Sequence, residues 1–333
     1  MAITALLVAL VGLVAGCGSS DSSSTGSGGG EGGGHEIAYF NLSFTNTYMQ
    51  AVQEGIEEAA KKDGDSVQAF DGEFNSGKQL NQIRDALATG RYDGFIISPV
   101  DGIGIATAIR QAEADEIPVV CTTTACGPDQ GSLEAQLPGV AAHVGVSPVE
   151  EGVNTAEMIS GACADTNPCE VAWIPGTKSI PTDIARNETL EKELEKDANV
   201  DLVAVEEGGF LAGPAREATQ TILQAHPNVS VIATAGDQMT AGAEAAVKQA
   251  GKTDQVALVS NAGSKQGVEA VRDGRWYGTT AWPALLEGKL ALDTIVANLN
   301  GEETPNSIDV QKEIGFTTIT KDNADEYTPE WSN

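Results

Sequence analysis

Cysteine and histidine are the residues most able to do chemistry in this 333-residue chain, and their spacing bounds what that chemistry is. Cys17 stands apart, behind an apolar run. The other four are Cys121, Cys126, Cys163 and Cys169. An even count outside the cytoplasm suggests two disulfides. Sequence order favours Cys121–Cys126 and Cys163–Cys169, because each pair closes a short turn; this is one of three possible connectivities. A metal site needs histidine or closely spaced thiols, and His35, His143 and His226 form no ligand pattern, so no metal is expected. The chain contains no GxSxG, HExxH, P-loop or CxxC motif. Asp101-Gly102-Ile103-Gly104 follows a strand, but Thr107 occupies the third glycine position and no acidic residue ends the next strand. It reads as a tight turn into a helix, and no cofactor is expected. Nothing brings a nucleophile to a base, so the chain is not expected to be an enzyme.

Composition narrows the partners. Asp and Glu outnumber Lys and Arg by 48 to 19, a formal net charge of −29. A phosphate backbone would be repelled over the whole surface, which excludes nucleic acid; the acidity reads as a well-solvated surface. A hydrophobic content of 41% suffices for packed cores, and the length suits about two lobes.

The first 35 residues are not expected to belong to the fold. Ala2 to Gly16 is almost wholly apolar. At about 15 residues it is short for a membrane span and fits the core of a secretory signal, here 1–16. Val14-Ala15-Gly16-Cys17 resembles the bacterial lipobox, in which small residues admit the backbone to a peptidase cleft and the Cys thiol then carries a diacylglycerol. The basic segment that ordinarily opens such a leader is absent, as expected if translation starts further upstream. Residues 17–35, rich in Gly and Ser, read as a flexible tether. The protein is then exported and anchored through Cys17 to the outer face of the cell membrane, on the periplasmic or extracellular side.

From Glu36 onward, apolar runs alternate with helix-period segments. Strands are predicted at 36–42, 94–98, 118–122, 140–145, 170–174, 202–206, 229–234, 256–260 and 278–281. Several are continuous apolar runs (GFIIS, PVVCT, VALVS), as in parallel strands buried on both faces. Helices are predicted at 47–62, 183–196, 214–225, 238–250, 265–273 and 284–299. Ser147-Pro148-Val149-Glu150 is a capping box that opens another. The alternation predicts an α/β protein with parallel sheets in two doubly wound lobes.

Five blocks carry a resemblance: IAYF with AVQEGIEEAAKKDG, YDGFIISPVDGIGIATAIRQAEADEIPVV, HPNVSVIATAGDQMTAGAEAAVKQAG, EAVRDGRWYGTTAWPALLEGKLALDTI and TTITKDNADEY. In this order, behind a lipobox, they resemble the type I periplasmic binding proteins of the ribose/galactose class that feed ABC importers. The match runs over nearly all of Glu36 to Tyr327. The resemblance implies two Rossmann-like lobes joined by a three-segment hinge. The first lobe would take 36–145 plus 283–309, the second 146–282 plus 310–325, leaving 326–333 as a tail. It further implies a monomer that closes on a small molecule, sugar or polyol by family, and presents it to a permease and its ATPase. A sensor that hands its closed form to a chemoreceptor or kinase is the second reading.

Carried over position by position, the resemblance changes at the cleft. The loop after the first strand keeps Asn46 and Tyr48 and offers Phe44, with Leu42 and Met49 in place of a polar and an aromatic residue. Asn46 also suits the N-cap of the next helix. The family's Asp-Arg pair is replaced by Thr123 and Thr124. Its next Arg falls on Ile184, beside Asp183. Phe210 keeps an aromatic, Asp237 is kept behind Gly236, Asn261 neighbours Ala262 at the next position, and Trp282 replaces a Gln at the hinge. The charged grip on hydroxyls is thus expected to be mostly lost, with Phe44, Tyr48, Phe210 and Trp282 as stacking faces. Unpaired buried hydroxyls cost about 1–3 kcal/mol each, which favours a flatter or less polar ligand. An amine or quaternary ammonium becomes an alternative if Asp183 or Asp237 faces the cleft.

Overall fold

The computed structural model describes residues 34–333; the leader, Cys17 and most of the Gly/Ser segment lie outside the described residues. The first sheet grows by strand–helix alternation: β1 (Glu36–Asn41), α1 (Thr47–Asp63), β2 (Ser66–Asp71), α2 (Ser76–Thr89), β3 (Gly94–Ile97), α3 (Ala106–Ala114), β4 (Val119–Thr122) and β5 (Val140–Gly145). The second follows with α4 (Pro148–Ala162), β6 (Cys169–Ile174), α5 (Pro181–Leu194), β7 (Val200–Val205), α6 (Ala212–Ala225), β8 (Val231–Thr234), α7 (Asp237–Gln249), β9 (Ala257–Ser260), α8 (Lys265–Arg272) and β10 (Gly278–Thr280). The chain then returns to the first sheet through α9 (Ala284–Leu299) and β11 (Ser307–Asp309). It ends in the second through α10 (Val310–Ile314) and β12 (Thr318–Thr320).

Both sheets have six strands, ordered β11-β5-β4-β3-β1-β2 and β12-β10-β9-β8-β6-β7. Every neighbouring pair is parallel except β10–β12. Strands β3, β4 and β8 are buried throughout, which is why they read as unbroken apolar runs. Sequence periodicity missed β2, whose SVQAFD has no fully buried residue and lies at the sheet edge. It also missed α2 and the three-residue strands β11 and β12, too short to show a period, whereas α3 follows the turn at Asp101–Gly104 as expected.

Local chemistry starts the helices where expected. The Asn46 side chain accepts from Met49 N and the Ser147 hydroxyl from Glu150 N. Asp101 Oδ1 accepts from Ile103 and Gly104 N, making the turn before α3. Cys121 is bonded to Cys126 and Cys163 to Cys169. Helices α1 and α9 approach too closely for side chains: a Cβ on Gly288 would lie 2.0 Å from the Val52 carbonyl oxygen, and one on Gly55 2.1 Å from that of Leu285. This contact lays the start of α9 under the loops after β1 and β4.

The final residues pack against both cores. Tyr327 joins the core of the second sheet and Trp331 that of the first. Trp331 Nε1 donates to the Trp282 carbonyl at 3.0 Å, and its ring meets Tyr48 edge-on.

Candidate functional site

In each sheet the order reverses at its first strand, so loops diverge at the carboxyl ends and leave a crevice. The two crevices face each other. Between them lies a cavity with an empty volume of about 670 Å³, open solvent at its mouth included. The lobes touch across it. Asn46 Nδ2 donates to the Phe210 carbonyl at 3.4 Å, and the Thr182 hydroxyl to Gln130 Oε1 at 3.1 Å. Phe74 and Phe210 stack with centroids 6.1 Å apart. This is a closed cleft.

The first-lobe wall contains Asn46, Tyr48, Thr123 and Thr124. Its polar groups converge on Glu287, which is fully buried in the first turn of α9. The hydroxyls of Tyr48, Thr122 and Thr123 all donate to its carboxylate, that of Thr123 at 2.6 Å. Burial raises the Glu287 pKa, while these hydroxyls pull it back. The helix N-terminus adds a favourable field for the carboxylate. Tyr48 and Thr123 therefore line the cavity with their hydroxyls already engaged.

The second-lobe wall contains Glu151, Asp183, Arg186, Phe210 and Asn261. Arg186 is 3% exposed. Its Nη1 donates to both Glu151 oxygens at 3.1 and 3.0 Å, and its Nη2 to Asp183. The remaining Asp183 oxygen accepts from Thr177 N at 2.7 Å. Burial pushes the Glu151 carboxyl up to about 7 against the pull of Arg186, with Asp183 adding to the rise. Asp183 is raised by burial too, again opposed by Arg186. The charged groups of the cleft are thus present, contrary to expectation. The Arg sits two residues beyond Ile184, which is 40% exposed and belongs to the rim.

Two expected residues lie outside the cavity wall. Phe44 is 37% exposed and turned outward, its backbone N–H bonded to Asp71. Asp237 is fully buried beneath the loops, accepting from Ser260, Ser264 and Thr279. Asn261 does reach the wall, but its amide is engaged by Thr155, Thr234 and Thr280. Neither Asp183 nor Asp237 is therefore free to meet an amine. Leu42 and Met49 line the cavity at the loop positions the resemblance gave them, whereas the sequence reading missed Phe74, Glu151, Ile180, Thr182, Arg186 and Gln238 as lining, and Glu287 beneath it. An i, i+3 Asp183–Arg186 spacing on a helix was the one local signal for the Arg.

The wall is strained and incompletely bonded. Six non-glycine residues of the described chain have positive φ, and four of them, Phe74, Thr123, Phe210 and Ala262, line the cavity. Such residues cost about 1–3 kcal/mol each and concentrate at ligand clamps. Gly176 leaves room for the Phe210 ring: a Cβ there would lie 2.0 Å from it. Among the lining residues, Arg186 Nε, Gln238 Oε1 and Trp282 Nε1 are buried without a hydrogen-bond partner. Such orphans call for a ligand or water.

The chain matches the periplasmic binding protein domain over residues 37–303, and it belongs to that family. Its members are exported solute-binding components of transport rather than enzymes. The chain is similar to the ribose import binding protein of Bacillus subtilis (strain 168), with 25% identity over 80% of this chain and 82% of that protein. It is similar to the D-allose-binding periplasmic protein of Escherichia coli (strain K12), with 27% identity over 74% and 78%. An ABC transporter periplasmic solute-binding protein from Actinobacillus succinogenes 130z, solved with bound D-allose, superposes with a TM-score of 0.77 at 23% identity, covering 88% of this chain and 100% of that one. Among the described residues no helix is long and apolar enough to cross a membrane.

Proposed function

We propose that this chain captures a neutral sugar or polyol between its lobes and delivers it to an ABC importer. The observation that carries this reading is the closed cleft with buried, partnerless polar atoms on its wall: Arg186 Nε, Gln238 Oε1 and Trp282 Nε1. The ribose and D-allose names of its relatives support the ligand class. The one cation on the wall, Arg186, is outnumbered by the two carboxylates it binds, Glu151 and Asp183, so the wall offers no net positive charge to an anion. No carboxylate oxygen on the wall lacks a partner for a ligand amine. Asn46, Tyr48, Thr123, Thr124, Asp183, Phe210, Asn261 and Trp282 form or frame the contact surface, with Arg186 and Gln238 added. A permease and its ATPase would read the closed rims. Lipidation at Cys17 would hold the protein at the membrane, which Val14-Ala15-Gly16-Cys17 supports.

Thermal unfolding of the purified protein against pentoses, hexoses, polyols, aromatic acids, nucleosides and quaternary amines tests the ligand class. A ligand at 100 times its Kd adds about 2.7 kcal/mol and raises the midpoint by about 5 °C. A shift with sugars or polyols is expected. A shift with aromatic acids or quaternary amines alone would sink the proposal.

A further inference from the structure

The two disulfides close loops of nearly equal length, with sequence separations of 5 and 6, yet they sit at opposite ends of their sheets. Cys169 opens β6 at its amino end and Cys163 caps the end of α4; neither lines the cavity. Cys121 is the penultimate residue of β4, on the carboxyl side where the cleft lies. Cys126 brings the chain back after a reversal that carries Thr123 and Thr124 onto the wall. The reversal is tight: Thr124 N donates to the Thr122 carbonyl at 2.6 Å, and Thr123 holds a φ of +64° without being glycine. On one face the Thr122 and Thr123 hydroxyls tie it to Glu287. On the other, Cys121 and Cys126 are buried with Phe95, Ile97 and Ile105. The chain beyond lies on the Asp101–Gly104 turn. Gly127 N donates to the Gly102 carbonyl at 3.0 Å, and a Cβ on Gly102 would lie 1.9 Å from the Ala125 carbonyl oxygen. Gln130 is oriented by this conformation. Its Nε2 donates to the carbonyls of Ala125 and Gly127, while its Oε1 accepts from Thr182 of the second lobe at 3.1 Å.

We infer that the Cys121–Cys126 disulfide is a positioning element of the binding site, whereas Cys163–Cys169 serves stability alone. This rests on the reading above that the two lobes close on a solute. The first disulfide fixes Thr123 and Thr124, on the wall, relative to the carbonyls of Ala125 and Gly127 that orient the Gln130 amide. Gln130 in turn presents its oxygen to Thr182 across the cleft. Without the crosslink, the chain from Cys121 to Cys126 regains conformational freedom. Ordering the wall and the interlobe bond then takes place on binding, which weakens affinity and lowers the population of the closed form. Cys163–Cys169 has no such reach. Its loop is bonded at the amino ends of β6 and β7, where Asn199 Nδ2 donates to the carbonyls of Cys163 and Thr166.

Paired substitutions separate the two roles. Cys121→Ala with Cys126→Ala, and Cys163→Ala with Cys169→Ala, remove loop constraints of similar size, so each pair is expected to lower the thermal midpoint without solute by on the order of 3 °C. If the first pair does not fold, Cys121→Val with Cys126→Ala refills the buried site and takes its place. Calorimetric titration then uses the compound of the panel above, starting from D-ribose and D-allose, that binds the wild type best. Loss of the Cys121–Cys126 bond is expected to weaken binding about tenfold, and loss of Cys163–Cys169 by less than about twofold. Thr182→Val keeps shape and removes the hydroxyl. It is expected to weaken binding about fivefold in the wild type but less than about twofold once Cys121–Cys126 is gone, because Gln130 is then no longer held in place. Equal affinities after loss of either disulfide, or an undiminished Thr182→Val effect, would overturn the inference and leave the sugar reading standing. Tightest binding by an aromatic acid or quaternary amine with no response to any sugar would sink the sugar reading, and the same variants measured on that compound would still uphold or overturn the role of the disulfide.

Discussion

The two walls of the cleft solve one problem, a buried carboxylate, in different ways. On the first lobe Glu287 has no cation, and three hydroxyls and a helix N-terminus hold its charge. On the second lobe Glu151 and Asp183 share one guanidinium, which also lies over the Trp173 ring at 6.0 Å. Hydroxyls can turn and accept as well as donate, so the first wall tolerates a change in protonation. The guanidinium cannot give up its charge, so the second wall depends on every member. The difference teaches that polar residues lining a cleft do not all serve the ligand. Here most fix the rigid frame of the cleft.

Removing Arg186 is the largest blow to this contrast. Arg186→Ala leaves two buried carboxylates unpaired and is expected to destabilise by about 3–5 kcal/mol in urea unfolding. Adding Glu151→Gln and Asp183→Asn should restore part of that loss; no restoration would mean that packing, not charge, is what Arg186 supplies.

Titration comes next. The folded Glu151 carboxyl, raised from 4.5 to about 7, holds its proton more tightly than the unfolded one. Its contribution to stability is therefore full below pH 4.5 and is lost as pH rises to about 7. His143, pushed by burial from 6.5 down to about 4, acts oppositely, losing stability as pH falls between those values. Subtracting the Glu151→Gln variant from the wild type isolates the first effect. The difference in unfolding free energy should fall by on the order of 3 kcal/mol between pH 4.5 and 7. A flat difference would break the account of the second wall.

On the first wall, Glu287→Ala strands three hydroxyls and is expected to cost about 2 kcal/mol, with Glu287→Gln costing less because it keeps an acceptor. Equal losses in chemical denaturation would show that volume, not hydrogen bonding, matters there. The smallest effect is expected at the boundary. Phe44→Ala should change stability by less than about 0.5 kcal/mol and leave ligand-induced midpoint shifts intact. A lost shift would put Phe44 back in the site.

The fold was legible because burial on both faces writes itself locally, as GFII and VVCT, and because Ser147 and Asn46 mark helix starts. The edge strand β2 and the three-residue β11 and β12 carry no such pattern. The site was legible in its loops but not in its bonding. Glu287 meets Tyr48 across 239 positions and Thr122 across 165, distances over which no spacing rule operates. Arg186 was hidden by a shift of two positions along α5, which turns a rim residue into a wall residue. Phe44 and Asp237 carried plausible types, yet the first turns outward and the second ties loops together.

Trp331, reaching back from the final residues to bond the Trp282 carbonyl, has an optical consequence. The chain contains four tryptophans. Trp173 and Trp276 sit in the core of the second sheet and do not line the cavity, although Trp173 lies directly behind Arg186. Trp282 and Trp331 flank Tyr48 at the hinge, and Trp282 alone of the four lines the cavity. Filling the cavity changes the surroundings of the Trp282 indole directly, and reaches Trp173 only through Arg186. The protein therefore carries its own fluorescent reporter of cleft occupancy, with no label needed.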